Sequence, residues 1–293
     1  MKVPTVDEVR TFARYHLWRR AFDHPARDPA LDVVELPYAP DELEATLREA
    51  ARGLDVDVVE RIPFRGRVHE VLSVGLGPRS ARERVLVLAG VHGNEHAGVL
   101  ACPEIVRRLR ETELRDVHVQ ILLPVNPVGA VERSRFNGEG YDINRDFVRF
   151  ATPEARLVRR VIEALRPTFI VSLHEGPQDA TFFFANPEVG EGRSARLARR
   201  LAAAGTKLAT RDYFGRVLTP PGVAGPSLTT RALTFAWASL LGMQATQGYA
   251  SRLGIPELTL ESSWRSTDHA ARLAAHVAMV LAVVEEVSAP RAT

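Results

Sequence analysis

Two potential metal ligands stand three residues apart at His92 and Glu95, in the glycine-rich turn 90–98. A second histidine, His174, follows much further along the chain. Either histidine alone would be read as an ordinary hydrogen-bonded side chain near a strand end. Together, one short and one long spacer join three nitrogen or oxygen ligands and leave a fourth position for water, which is typical of catalytic zinc sites. The pattern predicts one zinc ion per chain.

Glu261 is the candidate general base. It follows an apolar run over residues 256–260, where a carboxylate is costly to bury without a purpose. Beside a metal it could take a proton from water, whose pKa zinc lowers to about 7. The alternative is a strand-end glutamate that faces solvent.

A loop rich in polar residues supplies candidate substrate contacts at Arg135, Asn144 and Arg145. A guanidinium forks two hydrogen bonds onto a carboxylate, so the Asn-Arg pair suits a substrate with a free carboxyl end. A further arginine could stabilise negative charge on an attacked carbonyl. Asp142 could accept a hydrogen bond from a ligand imidazole. The chain contains many arginines, and one in a loop is usually only solvated.

Alternating strands and helices must position these residues. Apolar runs predict strands over residues 33–36, 85–89, 117–123, 168–173, 182–184 and 255–260, and a hairpin over 56–64 and 68–74. Helical patterns cover residues 6–22, 41–52, 153–165 and 191–205, a stretch from the turn to residue 109, and a closing helix from residue 268. Residues 124–140 and 214–226 are predicted loops. This alternation predicts a largely parallel sheet covered on both faces.

Composition excludes several classes of protein. The net charge of +2 over 293 residues gives no basic face for nucleic acid. Cys102, the single cysteine, excludes an internal disulfide, suits a reducing compartment and is expected to be buried. We see no secretory signal, so we expect a cytoplasmic protein. The uncharged run 232–251 contains glutamines and glycines, which predicts buried protein interior and not a membrane span.

Five motifs together resemble the zinc carboxypeptidase family, which also holds succinylglutamate desuccinylase and aspartoacylase. They are H-x-x-E at 92–95, R-F-N at 135–137, D-I-N-R at 142–145, L-H at 173–174, and G-I-P-E-L-T-L-E ending at Glu261. They occur in the family's order over residues 85–284. The resemblance implies a three-layer α/β/α sandwich around a mixed, mainly parallel eight-stranded sheet. We expect residues 1–293 to form a single zinc-hydrolase domain, with residues 1–80 as an extension packed on the core.

The resemblance also implies roles. His92, Glu95 and His174 would bind zinc, Glu261 would be the general base and proton shuttle, Arg135 would polarise the carbonyl, and Asn144 with Arg145 would hold the substrate carboxylate. Digestive members carry a mobile tyrosine before the catalytic glutamate, whereas residues 235–247 contain none. Tyr249 matches an aromatic residue that precedes the final strand. Gln247 matches a position that often lines the pocket for the terminal side chain.

The expected activity is a zinc metallocarboxypeptidase acting on a peptide or a murein-derived peptide. The chain continues for little more than one helix after Glu261, which favours this branch over aspartoacylase-like deacylases with a further domain. A deacylase of small N-acyl amino acids remains the nearest alternative. A non-catalytic carboxylate-binding or zinc-binding module is the alternative from another class. His96 and Glu175, next to ligands in the sequence, are expected to be solvated.

Overall fold

The computed structural model describes residues 17–27, 32–227 and 235–289, together with residues 6, 9, 10, 13, 14 and 232. The helix predicted over 6–22 lies partly outside these residues. It is helical at residues 6, 9, 10, 13 and 14, but residues 17–22 are not helical, so the prediction ended this helix too late.

Eight strands and seven α-helices are labelled here within the described ranges. The strands are β1 (Val56–Phe64), β2 (Arg67–Leu76), β3 (Glu83–Ala89), β4 (Val117–Leu123), β5 (Phe169–Gly176), β6 (Phe182–Ala185), β7 (Val223–Ala224) and β8 (Glu257–Ser263). The helices are α1 (Pro40–Ala50), α2 (His96–Arg110), α3 (Pro127–Glu132), α4 (Pro153–Leu165), α5 (Glu191–Ala203), α6 (Thr246–Arg252) and α7 (His269–Ser288).

One mixed sheet contains all eight strands, in the order β1-β2-β4-β3-β5-β8-β6-β7. Its central strands β4, β3, β5 and β8 are parallel, whereas β2 pairs antiparallel with β4 and β6 with β8. The predicted fold class is confirmed. The β1–β2 hairpin, which lies within residues 1–80, supplies two strands of this sheet.

Helices cover both faces of the sheet. On one face, α1, α2, α5 and α7 bury the larger apolar cluster, which includes Leu47, Cys102 and Val280. On the other face, α4 and α6 pack over β3 and β5 through Val158 and Ala250. Burying aliphatic side chains is worth roughly 1.5–3 kcal/mol each before entropy is subtracted, so these two layers hold the sheet rigid beneath the site. The prediction of a buried Cys102 is confirmed.

Several predicted boundaries were wrong. The prediction ended β5 and β8 before their polar residues, but both strands continue through the ladder to Gly176 and Ser263. Residues 33–36 form no strand. Short elements, α3 and β7, interrupt the two predicted loops. The run 232–251 is not uniformly interior, because Phe235 is 73% exposed and Leu240 is 81% exposed.

In the described part of the chain, no helix is both long and apolar enough to cross a bilayer.

Candidate metal centre

His92 and Glu95 lie in a tight turn that follows the end of β3. Gly90 has a φ of 71°, a left-handed conformation that a glycine adopts without strain. A Cβ at Gly93 would lie 2.0 Å from the carbonyl carbon of Gly129, so only a glycine fits there. The backbone of the turn therefore rests directly on the start of α3, and this contact holds the two side chains in place.

The structure brings the three predicted ligands together. His92 Nδ1 lies 2.7 Å from Glu95 Oε1. His174 Nδ1 lies 2.7 Å from Glu95 Oε2 and 3.1 Å from His92 Nδ1. All three residues are buried, and one potential ligand atom from each lies within 4.8 Å of the others. No other group of three or more histidine, cysteine or carboxylate side chains with this spacing occurs among the described residues.

Neighbouring side chains orient both imidazoles. His92 Nε2 lies 3.3 Å from Asp142 Oδ1, a carboxylate that can only accept. If His92 donates there, the lone pair of its Nδ1 points into the group. His174 Nε2 lies 3.1 Å from the Ser172 hydroxyl. The Glu175 backbone N–H donates to Glu95 Oε2 at 3.2 Å. Asp142 thus occupies the supporting position that the sequence predicted.

Charge is concentrated in this buried group. Burial opposes ionisation of Glu95, but His92 and His174 outweigh it and lower the pKa of Glu95. Burial likewise opposes ionisation of Asp142, yet Arg135 and Arg145 hold its pKa well below the ordinary value. Burial lowers the pKa of His174 although Glu95 works against this effect. Ionised carboxylates and neutral imidazoles are the protonation states that a divalent cation needs in its ligands.

Glu261 lies beside this group. It is the direct partner of His174 in the parallel pairing of β5 and β8, so the two side chains share one face of the sheet. Its carboxylate forms no hydrogen bond or ion pair with another described residue. Burial, followed by the charge of Glu95, raises the pKa of Glu261 well above its ordinary value. A Cβ at Gly176 would lie 3.1 Å from Glu261 Oε2, so the glycine leaves room for this carboxylate.

Arg135 contacts this group directly, and Asn144 and Arg145 follow shortly after Asp142 in the chain. Arg135 Nε donates to Asp142 Oδ2 at 2.9 Å, and its Nη1 lies 3.3 Å from His92 Nδ1. Asn144 Oδ1 accepts from the Thr246 backbone N–H at 3.0 Å, so its amide nitrogen is the end left for other contacts. Arg145 stacks over the Trp237 ring at 5.4 Å.

Gln247 and Tyr249, the two other residues that the resemblance singled out, lie in different surroundings. Gln247 lies in α6 directly after Thr246, and its side-chain nitrogen is buried without a hydrogen-bond partner in the described part of the chain. Tyr249 belongs to the apolar cluster under α4, where its ring lies 5.1 Å from Phe150 and 6.3 Å from Phe147. The structure does not bring Tyr249 to the group of His92, Glu95 and His174, which is called the metal group below.

Sequence reasoning misjudged or missed three residues near the site. His96 and Glu175 were expected to be solvated, but both are buried. The His96 ring stacks on Tyr38 at 4.5 Å. The sequence drew no attention to Tyr213, which lies in a glycine- and proline-containing loop. Its electrostatic surroundings include Glu261, Arg145, Arg135 and Glu95. No periodic pattern marks such a loop, and only the strand pairing brings it near the site.

Comparisons with known proteins agree with this geometry. A family model, the succinylglutamate desuccinylase/aspartoacylase catalytic domain, matches residues 81–209. Murein peptide amidase A of Escherichia coli K12 is 36% identical over 96 residues, which cover 33% of this chain and 38% of that protein. Carboxypeptidase 2 of Trichophyton tonsurans is 24% identical over 177 residues, or 55% of this chain and 33% of that protein. The match therefore spans less than half of either curated relative.

Solved structures share the fold. A metallo-carboxypeptidase from Pseudomonas aeruginosa, in complex with (2-guanidinoethylmercapto)succinic acid, superposes with a TM-score of 0.62 at 20% identity. The superposition covers 85% of this chain and 70% of that one. The family model, the curated relatives and the shared fold together support a zinc carboxypeptidase-like family with succinylglutamate desuccinylase and aspartoacylase relatives.

Proposed function

We propose that this chain is a zinc metallocarboxypeptidase that hydrolyses the amide bond next to a free carboxylate, in a peptide or a murein-derived peptide. The supporting observation is the buried group of His92, Glu95 and His174, with Glu261 next to His174 across the sheet. A cation ligand set, a carboxylate without an ion-pair partner among the described residues, and arginines nearby supply what metal-assisted amide hydrolysis requires.

The donor set fits zinc. Atoms that bind one zinc ion tetrahedrally at about 2.0–2.2 Å lie about 3.3 Å from each other. The three closest pairs of potential ligand atoms here are 2.7, 2.7 and 3.1 Å apart, so a small shift would admit the ion. Two imidazoles and one carboxylate form a ligand set used by catalytic zinc sites. Structural zinc sites usually contain cysteine ligands, and none of these three residues is a cysteine.

The protein's own residues would then carry the proton and the charge. When bound, zinc supplies electrostatic polarisation of the attacked carbonyl and makes water more acidic. Glu261 takes a proton from the attacking water and passes it to the leaving amine. Its burial favours the neutral carboxyl after the first transfer, because burial raises the pKa of Glu261. Arg135, held by Asp142, faces the negative charge that develops on the carbonyl oxygen.

Asn144 and Arg145 would hold the substrate carboxylate. The Asn144 amide is oriented by the Thr246 N–H, and the Arg145 guanidinium is fixed against Trp237. Fixed donors lose little entropy on binding, so they position the amide bond next to the carboxylate over the metal group. This requirement distinguishes a carboxypeptidase from a general peptidase.

Metal content and a substrate comparison test the proposal. We expect about one zinc per chain by elemental analysis, and loss of zinc in His92→Ala, with His118→Ala as a matched control at a histidine outside the metal group. The zinc-loaded protein should release the terminal amino acid from short peptides and not from the same peptides with an amidated terminus. No zinc in the purified protein, and none taken up when it is added, would contradict the proposal and leave a binding module.

A second candidate function is deacylation of small N-acyl amino acids. It is supported by the family model of succinylglutamate desuccinylase and aspartoacylase, which matches the part of the chain containing the proposed metal ligands. The same residues would act, with the acyl group in place of the peptide. Rates on N-succinyl and N-acetyl amino acids, measured beside those on peptides and murein-derived peptides, separate the two functions. The cytoplasmic location stays a prediction.

A further inference from the structure

A segment near the N-terminus packs along the polar loop that carries the proposed substrate contacts. It comprises residues 19–26 and is called the N-terminal strap below. The ring of Phe22 lies 5.1 Å from the ring of Phe136, which belongs to the loop. A Cβ at Gly140 would lie 2.0 Å from the carbonyl oxygen of Phe22, so the two backbones touch there. The strap is therefore a packed neighbour of the loop and not a distant part of the chain.

Arg19 of the strap holds both ends of one short turn. The turn begins at Asp142 and ends at Asp146, and it carries Asn144 and Arg145. The carbonyl of Arg19 accepts from the Asp142 backbone N–H at 2.8 Å. The guanidinium of Arg19 donates from Nη1 to Asp146 Oδ1 at 2.6 Å. One residue thus fixes the start of the turn with its backbone and the end with its side chain.

The ion pair at the end of the turn is well shielded from water. The side chain of Asp146 is 0% exposed and that of Arg19 is 18% exposed. Asp146 Oδ2 accepts from the Thr152 backbone N–H at 2.7 Å, and Arg19 is its ion-pair partner among the described residues. Removing one partner of a buried pair leaves a charge without compensation. Without the guanidinium, Asp146 would gain free energy by moving toward water, and the turn would move with it.

Residues 244–246 hold the middle of the same turn. The Gln244 backbone N–H donates to the Arg145 carbonyl at 3.1 Å, and the Thr246 N–H donates to Asn144 Oδ1 at 3.0 Å. The strap supplies the contacts at the two ends. The proposed carboxylate-binding residues are thus positioned by two separate parts of the chain before a ligand arrives, which lowers the entropy lost on binding.

We propose that Arg19 is a positioning residue for substrate binding, whose ion pair with Asp146 holds the turn so that Asn144 and Arg145 meet the substrate's free carboxylate. This inference rests on the proposed function, because Asn144 and Arg145 are the groups proposed to bind that carboxylate. Arg19 acts through Asp146 and need not touch the substrate. A misplacement of about 1 Å can cost about 100-fold, so even a modest shift of the turn is measurable.

The test compares Arg19→Met with Arg20→Met in the zinc-loaded protein. Arg20 is the matched control, because its side chain contacts the same loop through the Glu139 carbonyl at 3.0 Å and the Tyr141 ring at 5.3 Å. Arg19→Met keeps the backbone contact to Asp142 and removes only the ion pair. We expect it to raise KM for a free-terminus peptide about 10-fold with kcat within about twofold, and Arg20→Met to change neither.

Hydrogen exchange measures the turn independently of activity. We expect the peptide that spans Asp142–Asp146 to exchange faster in Arg19→Met than in the wild type or in Arg20→Met, with exchange in β3 unchanged. A general loss of stability would speed exchange in β3 as well and would contradict a positioning role. The double variant Arg19→Met/Asp146→Asn removes both charges and should recover part of the loss in KM.

The outcomes separate this inference from the proposed function. If the wild-type protein hydrolyses peptides and Arg19→Met changes KM by less than about twofold, or no more than Arg20→Met does, the role of Arg19 is overturned and the proposed function stands. If the wild-type protein hydrolyses nothing, the proposed function fails. Calorimetry with 2-benzylsuccinate, which has two carboxylates and no amide bond, then decides: weaker binding in Arg19→Met alone supports the positioning role, and equal or absent binding overturns it. Should Arg19→Met not fold, Arg19→Gln takes its place with the same expected and contrary results.

Discussion

The carboxylate of Glu175 lies 2.8 Å from the guanidinium of Arg272, and both side chains are buried. Glu175 also accepts from the Ala97 N–H at the start of α2 at 2.9 Å, and Arg272 donates to the Val34 carbonyl. Because the Glu175 backbone N–H holds Glu95, this pair connects the metal group to α2, α7 and the N-terminal segment. A residue expected to be solvated is instead a central structural support of the site.

Breaking this pair should destabilise the protein strongly. Arg272→Met leaves the Glu175 carboxylate buried without its partner, and such a loss costs about 3–5 kcal/mol. We expect the double variant Glu175→Gln/Arg272→Met to recover a substantial part of that loss, because it removes both charges. Urea unfolding at pH 7 measures all three proteins. Equal stability of the single and double variants would show that the charge pair is not the cause.

Removing the proposed base should abolish turnover and leave the metal bound. The Glu261 carboxylate forms no hydrogen bond or ion pair with another described residue, so Glu261→Gln disturbs little around it. We expect kcat to fall by about 10²- to 10⁴-fold, the contribution of a positioned general base. Elemental analysis should still find zinc, since the three proposed ligands are untouched. Near wild-type turnover in this variant would show that another group takes the proton.

The two arginines should differ in the kinetic constant that they affect. Arg135 lies 3.3 Å from His92 Nδ1, so Arg135→Ala should lower kcat by about 10²- to 10³-fold through lost charge stabilisation. Arg145 would hold a carboxylate that does not react, so Arg145→Ala should mainly raise KM. Steady-state kinetics on one free-terminus peptide, with zinc content checked in each variant, compares them. The reverse pattern would exchange their roles.

Glu257 should make stability depend on pH. Its Oε1 accepts from the Thr246 hydroxyl at 2.6 Å, whereas its Oε2 has no partner in the described ranges. Burial raises the pKa of Glu257 from 4.5 to about 8. Because the folded pKa exceeds the unfolded one, its favourable contribution is complete below about pH 4.5 and is lost as the pH rises to about 8. Glu257→Gln should therefore match the wild-type Tm at pH 4 and exceed it increasingly up to pH 8. A constant Tm difference across this range would contradict the assignment.

The parallel core of the fold could be predicted from local patterns. The predicted bounds of β4 and α4 match the observed Val117–Leu123 and Pro153–Leu165, because apolar periodicity and a proline at the helix start define them. The ends of β5 and β8 were placed too early, since their polar residues look like the start of a loop. These residues nevertheless remain paired in the ladder, and they are buried. The exposed Leu240 shows the opposite error, since an uncharged run does not have to be interior.

The candidate site was predictable where its residues form motifs. His92, Glu95 and His174 meet as expected, with Asp142 and Arg135 beside them. Tyr213 could not be found in this way, because its position depends on β6 pairing with β8 and on the packing of a turn against β6. Such contacts depend on tertiary structure and leave no local pattern in the sequence.

The pairing of His174 with Glu261 fixes one dimension of the site. Neighbouring strands lie about 4.8 Å apart wherever their backbones are hydrogen-bonded. The separation between the backbones at these two positions is thus set by main-chain geometry, and side-chain repacking cannot widen it. Only the length and the rotamer of the side chain can change how far the proposed base reaches within the candidate site. Adaptation to a larger or smaller substrate would have to come from the loops around the pair.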